Sequence, residues 1–204
     1  RDSRELEAQM KAGKIAGMLG IEGGQSIGSS LAVLREMHGM GVRYMTLTHG
    51  KNTPWADSAT DDPKHGGLTE FGRNVVREMN RIGMIVDVSH VSADTMKAAL
   101  AVSMAPVMFS HSGVRGVNDH PRNVPDDVLP LVRANGGIVM VVFLPSFLSA
   151  EVSDYDYRRA GEEARVKYQY RGAPEKVVDA MKAWDAANPT PLTNPKTVAD
   201  HIDH

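Results

Sequence analysis

The 204-residue chain contains no cysteine. Disulfides, thiolate nucleophiles and cysteine-ligated metals are excluded, while the redox compartment stays open, because a cysteine-free chain tolerates either. No apolar run approaches the ~20 residues of a membrane-spanning helix, and none of these residues reads as a signal peptide, which leaves targeting open. An excess of one charge is also missing. Lys and Arg total 23 against 25 Asp and Glu, a net charge of −2, so nothing favours nucleic acid or an anionic membrane as a partner. IEGGQSIG (21–28) lacks the Lys-Ser/Thr of a phosphate-binding P-loop. No serine sits in a G-x-S-x-G elbow, and there is no low-complexity tract.

What remains is an ordinary globular composition, 42% hydrophobic and 24% charged, in a length sufficient for one domain with a substantial core. The chain opens in RDSRELEAQMKAGK and closes in VADHIDH, both with the character of a helix interrupted in mid-course. An internal portion of a longer protein is therefore expected, and the compartment stays open, with a soluble cytoplasmic setting as the default expectation.

Between those ends, strands alternate with helices. KIAGMLGIEGG (14–24) reads as a strand reaching Glu22. Leu31, Leu34, Met37 and His38 fall at helical spacing, and VRYMTLTHG (42–50) is a strand expected to end at His49. Thr69 is a candidate N-cap for a helix with Phe71, Val75, Met79 and Ile82 on one face. MIVDVSH, a helix over 92–103 capped by Ser92, and APVMFSHS follow. VPDDVLPLVRANGG (124–137) reads as a helix, and IVMVVFLP (138–145) as a strand of the fully buried kind. Residues 149–190 are charged and helix-rich, a helical excursion between βα units. Such alternation predicts a parallel sheet with helices outside.

Two segments of one shape raise the question of chemistry: MIVDVSH stops at His90 and APVMFSHS at His111. With TLTH before them, three successive strands are expected to end in histidine (His49, His90, His111), and the strand before ends in Glu22. In a parallel barrel all strand C-termini open on one face, where active sites sit, and neighbouring strands are ~4.8 Å apart. Two imidazoles and a carboxylate at that separation suit a divalent metal, most naturally zinc. A strand-end histidine alone is commonly a hydrogen-bonded structural residue; it is the set that points to a site. Asp87 either orients an imidazole through its ring N–H or pairs with a backbone amide. Arg122, after a proline and before a helix, is placed to hold a substrate carboxylate by a bidentate contact, with a solvated surface arginine as the alternative. Asn123, Pro125 and Asp126 read as that helix's start. His38, His65 and His120 carry weaker signals. His201 and His204, at i and i+3, read as an exposed polar helix face, with a metal clip as the alternative. Trp55, in HGKNTPWAD, either walls a pocket or packs under its loop.

These segments together resemble the membrane dipeptidase (renal dipeptidase) family of zinc peptidases, within the amidohydrolase-like barrels. The resemblance is carried by GIEGGQSI (20–27), GVRYMTLTHGKNTPWAD (41–57), GLTEFGRNVVREMNRIGMIVDVSHVSADTM (67–96), APVMFSHS (105–112) and RNVPDDVL (122–129). It implies a (β/α)8 TIM barrel, of which residues 1–204 would be a single catalytic domain truncated at both ends, with about five βα units. It further implies two zinc ions bridged by Glu22, with His90 and His111 as ligands of the second. His49 would contact the substrate near the scissile carbonyl, Arg122 would bind the substrate, and a metal-bridging water would be the nucleophile. The activity implied is hydrolysis of dipeptides, including those with a D-residue at the C-terminal position. A homodimer stands as a further expectation. The family's N-terminal His-x-Asp ligands and its later aspartate have no counterpart here, so the chain by itself is expected to bind metal weakly and be inactive. A lactonase or deaminase-like amidohydrolase is the alternative on the same cage, though a bridging Lys would favour it, and a catalytically dead barrel is the third reading.

Overall fold

Helix caps written into the sequence set where each βα unit turns. In this computed structural model, which describes residues 3–204, the Thr69 side chain accepts from the Gly72 amide and opens helix α3 (Glu70–Ile82); Ser92 accepts from Thr95 and opens α4 (Ala93–Val102). In chain order the elements are α1 (Ser3–Lys11), β1 (Leu19–Glu22), a 3₁₀ turn (Gly24–Ile27), α2 (Leu31–Gly39), β2 (Val42–Thr46), α3, β3 (Ile85–Asp87) and α4. Then come β4 (Met108–Ser112), α5 (Leu129–Asn135), β5 (Ile138–Val141), α6 (Pro145–Leu148), α7 (Ala150–Gln169), α8 (Pro174–Ala187) and α9 (Pro195–Asp203). All strand pairs are parallel, in the order β1-β2-β3-β4-β5. Five parallel strands in sequential order, with helices packed outside, form five βα units of the (β/α)8 type. No helix among the described residues is long and apolar enough to cross a membrane.

One face of the sheet meets the helices in a continuous core that includes Met45, Leu47, Val86, Val88, Val107 and Phe109 against Leu34, Val75, Val76, Met79, Met96 and Ala99. The other face carries Thr46, Asp87 and Ser110, buried or half-buried, toward the barrel interior. Period-two alternation separates these sets, so hydrophobic residues go to the helices and the polar layer to the interior.

Several boundaries differ from the sequence expectation. β2 and β3 end at Thr46 and Asp87, so His49 and His90 lie in the turns that follow, and only His111 stands within its strand. β1 is confined to Leu19–Glu22. β5 pairs with β4 here, and Ile138 is 58% and Met140 46% exposed in a span that holds five strands of the (β/α)8 type. The helix expected over 124–137 occupies Leu129–Asn135; residues 124–128 instead fold as a bridge to Val114 and a turn.

Glu78, on α3, ties two helices together. Its carboxylate accepts from Arg81 one turn on, at 2.6 and 2.8 Å, and from Arg35 of α2. The Arg81 hydrogen bonds hold its pKa down at about 2 from 4.5 against the opposing effect of burial, with Arg35 adding to the lowering. A depressed carboxyl contributes stability that is present above its unfolded pKa and lost as pH falls through the folded one. Glu78→Gln is expected to destabilise the fold by about 1–3 kcal/mol at neutral pH. The deficit should shrink to nothing between about pH 4.5 and 2, as read by urea unfolding across that range.

Candidate metal centre at the strand C-termini

Glu22 ends β1, and the backbone leaves at once through Gly23, at φ 122, a conformation that favours glycine. A Cβ on Gly24 would lie 2.5 Å from both the Leu47 carbonyl oxygen and the Trp55 ring, so only glycine lets the turn settle onto that indole. Trp55 is 1% exposed and edge-on to Phe71. It packs under its loop. Aspartate 57 folds the loop that follows. Burial raises its pKa, but amide hydrogen bonds from Gly67, His65 and Lys64 outweigh that and leave it lowered.

Above this floor, Glu22 Oε1 lies 3.0 Å from His90 Nε2 and 3.2 Å from His111 Nε2, and the two imidazole nitrogens are 2.9 Å apart. Among the described residues, this is the group of ligand atoms placed to hold a metal ion, all within 4.8 Å of one another. The His49 ring is 4.4 Å from that of His90, and its Nε2 is 3.9 Å from Glu22 Oε2. His49, Gln25, Gly50, Lys51 and Asn52 line a cavity of 280 Å³ on this rim. The larger cavity, 370 Å³, opens at the opposite strand ends among residues such as Met84, Pro106 and Met108 and is lined by no titratable side chain.

Burial and the charge of Arg122 push the His90 pKa down to about 4, with further lowering from His111 and His49 and a partial offset from Glu22. His111 is lowered by the same two leading causes, against Asp87 and Glu22. Both rings are therefore neutral near pH 7, the form with a lone pair to give. His90 sits at φ 66, a left-handed conformation in a non-glycine residue. Its carbonyl is held by the Ala59 amide at 2.8 Å and the Thr48 hydroxyl at 3.1 Å.

His111 is aimed differently. From Phe109 to Ser112 β4 takes three steps while β5 takes two from Val139 to Val141, so β4 carries one extra residue at Ser110–His111. Such a bulge re-aims side chains and brings two consecutive residues to the interior: Ser110 Oγ is 2.6 Å from Asp87 Oδ2 and 2.8 Å from His111 Nδ1. Asp87 is fully buried. It accepts from the amides of Ser89 and Ser110 and from the hydroxyls of Thr46 and Ser110. Both sequence alternatives for Asp87 are present, since it pairs with backbone amides and reaches an imidazole through Ser110.

Arg122 is 7% exposed, with its guanidinium 5.0 Å from the centre of the Phe147 ring. Its Nε and Nη2 are buried without a hydrogen-bond partner among the described residues. Burial lowers its pKa to about 10, partly offset by Glu22 and Asp87, so it stays charged at neutral pH. The loop carrying it is stapled by Asn123, whose side chain accepts from the Gly113 amide and donates to the Asn118 and Phe147 carbonyls. Asn123 is thus a loop staple. It does not start a helix. His201 is no exposed helix face: it is 3% exposed, accepts from the Val114 amide through Nδ1 and contacts the Leu148 carbonyl through Nε2. Both its nitrogens are occupied, which removes the metal clip with His204, whose partner is Asp126.

The sequence model described as "Membrane dipeptidase (Peptidase family M19)" matches residues 1–204. The chain belongs to the membrane dipeptidase family. It is 49% identical over 152 residues to Dipeptidase verJ of Clonostachys rogersoniana, covering 74% of this chain and 39% of that protein. It is 54% identical over 133 residues to Dipeptidase 3 of Mus musculus, covering 63% and 27%. The probable dipeptidase PvdM from Pseudomonas aeruginosa superposes with a TM-score of 0.81 at 25% identity, over 98% of this chain and 56% of that one. A metallo peptidase from Rhodobacter sphaeroides, crystallised with a phosphinate mimic of the dipeptide L-Ala-D-Ala, gives a TM-score of 0.68 at 28% identity, over 74% and 44%. The chain thus spans well under half the length of these curated relatives.

For a member of this dipeptidase family, the donor set fits a metal ion. The bare nitrogens and carboxylate oxygen that converge here repel one another unless a proton or cation lies between them. Ser110 and Thr46 escaped the sequence reading, because a lone serine or threonine in a strand carries no signal. One signal was there: Thr46 and Asp87 each stand three residues before a histidine, in TLTH and DVSH, and the two are register partners.

Proposed function

We propose that this chain carries part of the active site of a zinc-dependent dipeptidase, hydrolysing dipeptides by way of two zinc ions bridged by Glu22. The observation that supports it most is the convergence of Glu22 Oε1, His90 Nε2 and His111 Nε2 at the strand C-termini. His90 and His111 would hold one ion and Glu22 would share both. Bound there, zinc supplies Lewis acidity and a water acidic enough to attack near neutral pH. His49, on the rim, would donate toward the oxygen of the scissile carbonyl as charge develops on it. Arg122 would hold the free carboxylate of the dipeptide, setting the distance from chain end to scissile bond and so selecting dipeptides over longer chains. Asp87 would organise the hydrogen bonds behind His111. A D-residue at the C-terminal position belongs to the same reading, supported by the L-Ala-D-Ala mimic bound to the Rhodobacter sphaeroides neighbour. We take residues 1–204 as a single catalytic barrel unit, with the helices of 149–190 as an excursion from it. Assembly as a homodimer is part of the proposal, and sedimentation reads it out.

Elemental analysis of the intact protein tests the reading. About two zinc ions per chain are expected, falling toward one or none in a His90→Ala, His111→Ala double variant together with loss of dipeptide hydrolysis. An intact protein free of metal with both histidines in place would overturn it.

A further inference from the structure

We propose that Ser110 is a positioning residue: by relaying the Asp87 carboxylate to His111 Nδ1, it holds His111 in the Nδ1–H tautomer and leaves Nε2 bare toward Glu22 and His90. The argument is a count of protons. Asp87 Oδ2 is an acceptor, and it faces two hydroxyls, Thr46 Oγ1 at 2.7 Å and Ser110 Oγ at 2.6 Å. Each hydroxyl has one hydrogen, and each gives it to the carboxylate. Ser110 Oγ then has only lone pairs left for His111 Nδ1 at 2.8 Å, so the ring nitrogen must be the donor. A neutral imidazole with its proton on Nδ1 has a lone pair on Nε2, and that atom is the one 3.2 Å from Glu22 Oε1. The bulge in β4 makes the relay possible, because in a regular strand Ser110 and His111 would point to opposite faces.

His90 has no such relay. Its Nδ1 is buried without a hydrogen-bond partner among the described residues, and the residue is fixed through its backbone carbonyl. The two imidazoles are thus aimed by different devices, one through the ring and one through the main chain, and Ser110 acts on His111 alone.

Reversing the relay is the sharpest test. In Asp87→Asn the amide oxygen keeps the Ser89 and Ser110 amides, and the NH₂ group takes the place of Oδ2. An NH₂ group donates to both hydroxyls, so the Ser110 hydrogen turns to His111 Nδ1 and the ring proton moves to Nε2. ¹⁵N NMR of histidine-labelled, metal-free intact protein reads the tautomer directly. The expected result is Nδ1–H in the wild type, Nε2–H in Asp87→Asn, a mixture in Ser110→Ala, and a return to Nδ1–H in Ser110→Thr, which keeps the hydroxyl. Zinc affinity, measured by competition with a chromogenic chelator, should fall roughly 10–100-fold in Asp87→Asn and Ser110→Ala and recover in Ser110→Thr. Should Asp87→Asn fail to fold, the Ser110 pair decides. Nε2–H in the wild type, or an unchanged tautomer in Ser110→Ala, would overturn the proposal. The affinity arm rests on the metal-centre reading while the tautomer arm does not. A wild type that binds no zinc yet shows the tautomer pattern would sink that reading and leave this one standing.

Discussion

In the intact protein, if it acts as proposed, replacing Arg122 with leucine is expected to lower kcat/KM for a dipeptide by about 10²–10³-fold, equivalent to about 3–4 kcal/mol, while leaving the fold as stable as before or more so. The two halves of that expectation have one cause. Arg122 is almost wholly buried, and two of its nitrogens have no partner among the described residues, so its burial carries a desolvation cost. Contact with the Phe147 ring offsets part of it. Leucine keeps the apolar contact and removes the unpaired donors, which favours the fold. On the proposed reading, a substrate carboxylate would satisfy those donors in the wild type and would find nothing in the variant. The control is a dipeptide amidated at its C-terminus. Wild type should discriminate strongly against it, whereas Arg122→Leu should treat acid and amide nearly alike. A variant that unfolds at lower urea while still discriminating acid from amide would show that Arg122 serves the fold and that another group reads the carboxylate.

What the sequence made legible, and what it hid, follows from the range of the forces involved. Thr69 and Ser92 were readable as caps because capping is local: one side chain, one amide, three residues apart. The convergence of Glu22, His90 and His111 was readable because parallel strands bring their ends to one side whatever their sequence separation. The errors came from tertiary context. His201 on a polar terminal helix looks exposed until α9 docks and the Val114 amide meets its ring. The bulge at Ser110–His111 leaves no trace in the sequence, because register is a property of two paired strands and not of either alone. Trp55 was placed in the right loop, but only the meeting of Gly24 with its ring shows that it lies beneath the site.

The φ of 66 at His90 was equally hidden, since Ser-His contains no glycine to announce it, and it leads to an expectation that separates ligation from folding. His90→Gly and His90→Ala remove the same imidazole, so both should reduce zinc binding to the same residual level. Their metal-free stabilities should differ. A left-handed conformation costs a residue with a Cβ roughly 1–2 kcal/mol and costs glycine almost nothing. The surrounding bonds keep that conformation after the ring has gone, because the Ala59 amide and the Thr48 hydroxyl grip the carbonyl, which every residue has. Urea unfolding in the presence of chelator should therefore place His90→Gly about 1 kcal/mol above His90→Ala. His90→Gly should also match the metal-free wild type or exceed it, since it sheds both the strain and a buried Nδ1 with no partner. Equal stability of the glycine and alanine variants would mean that the turn relaxes once the imidazole is removed, and that the ring, rather than the carbonyl grip, imposes the conformation. If glycine wins, the strain at His90 is a cost the fold carries to aim a ligand, and the metal-free protein is more stable without it.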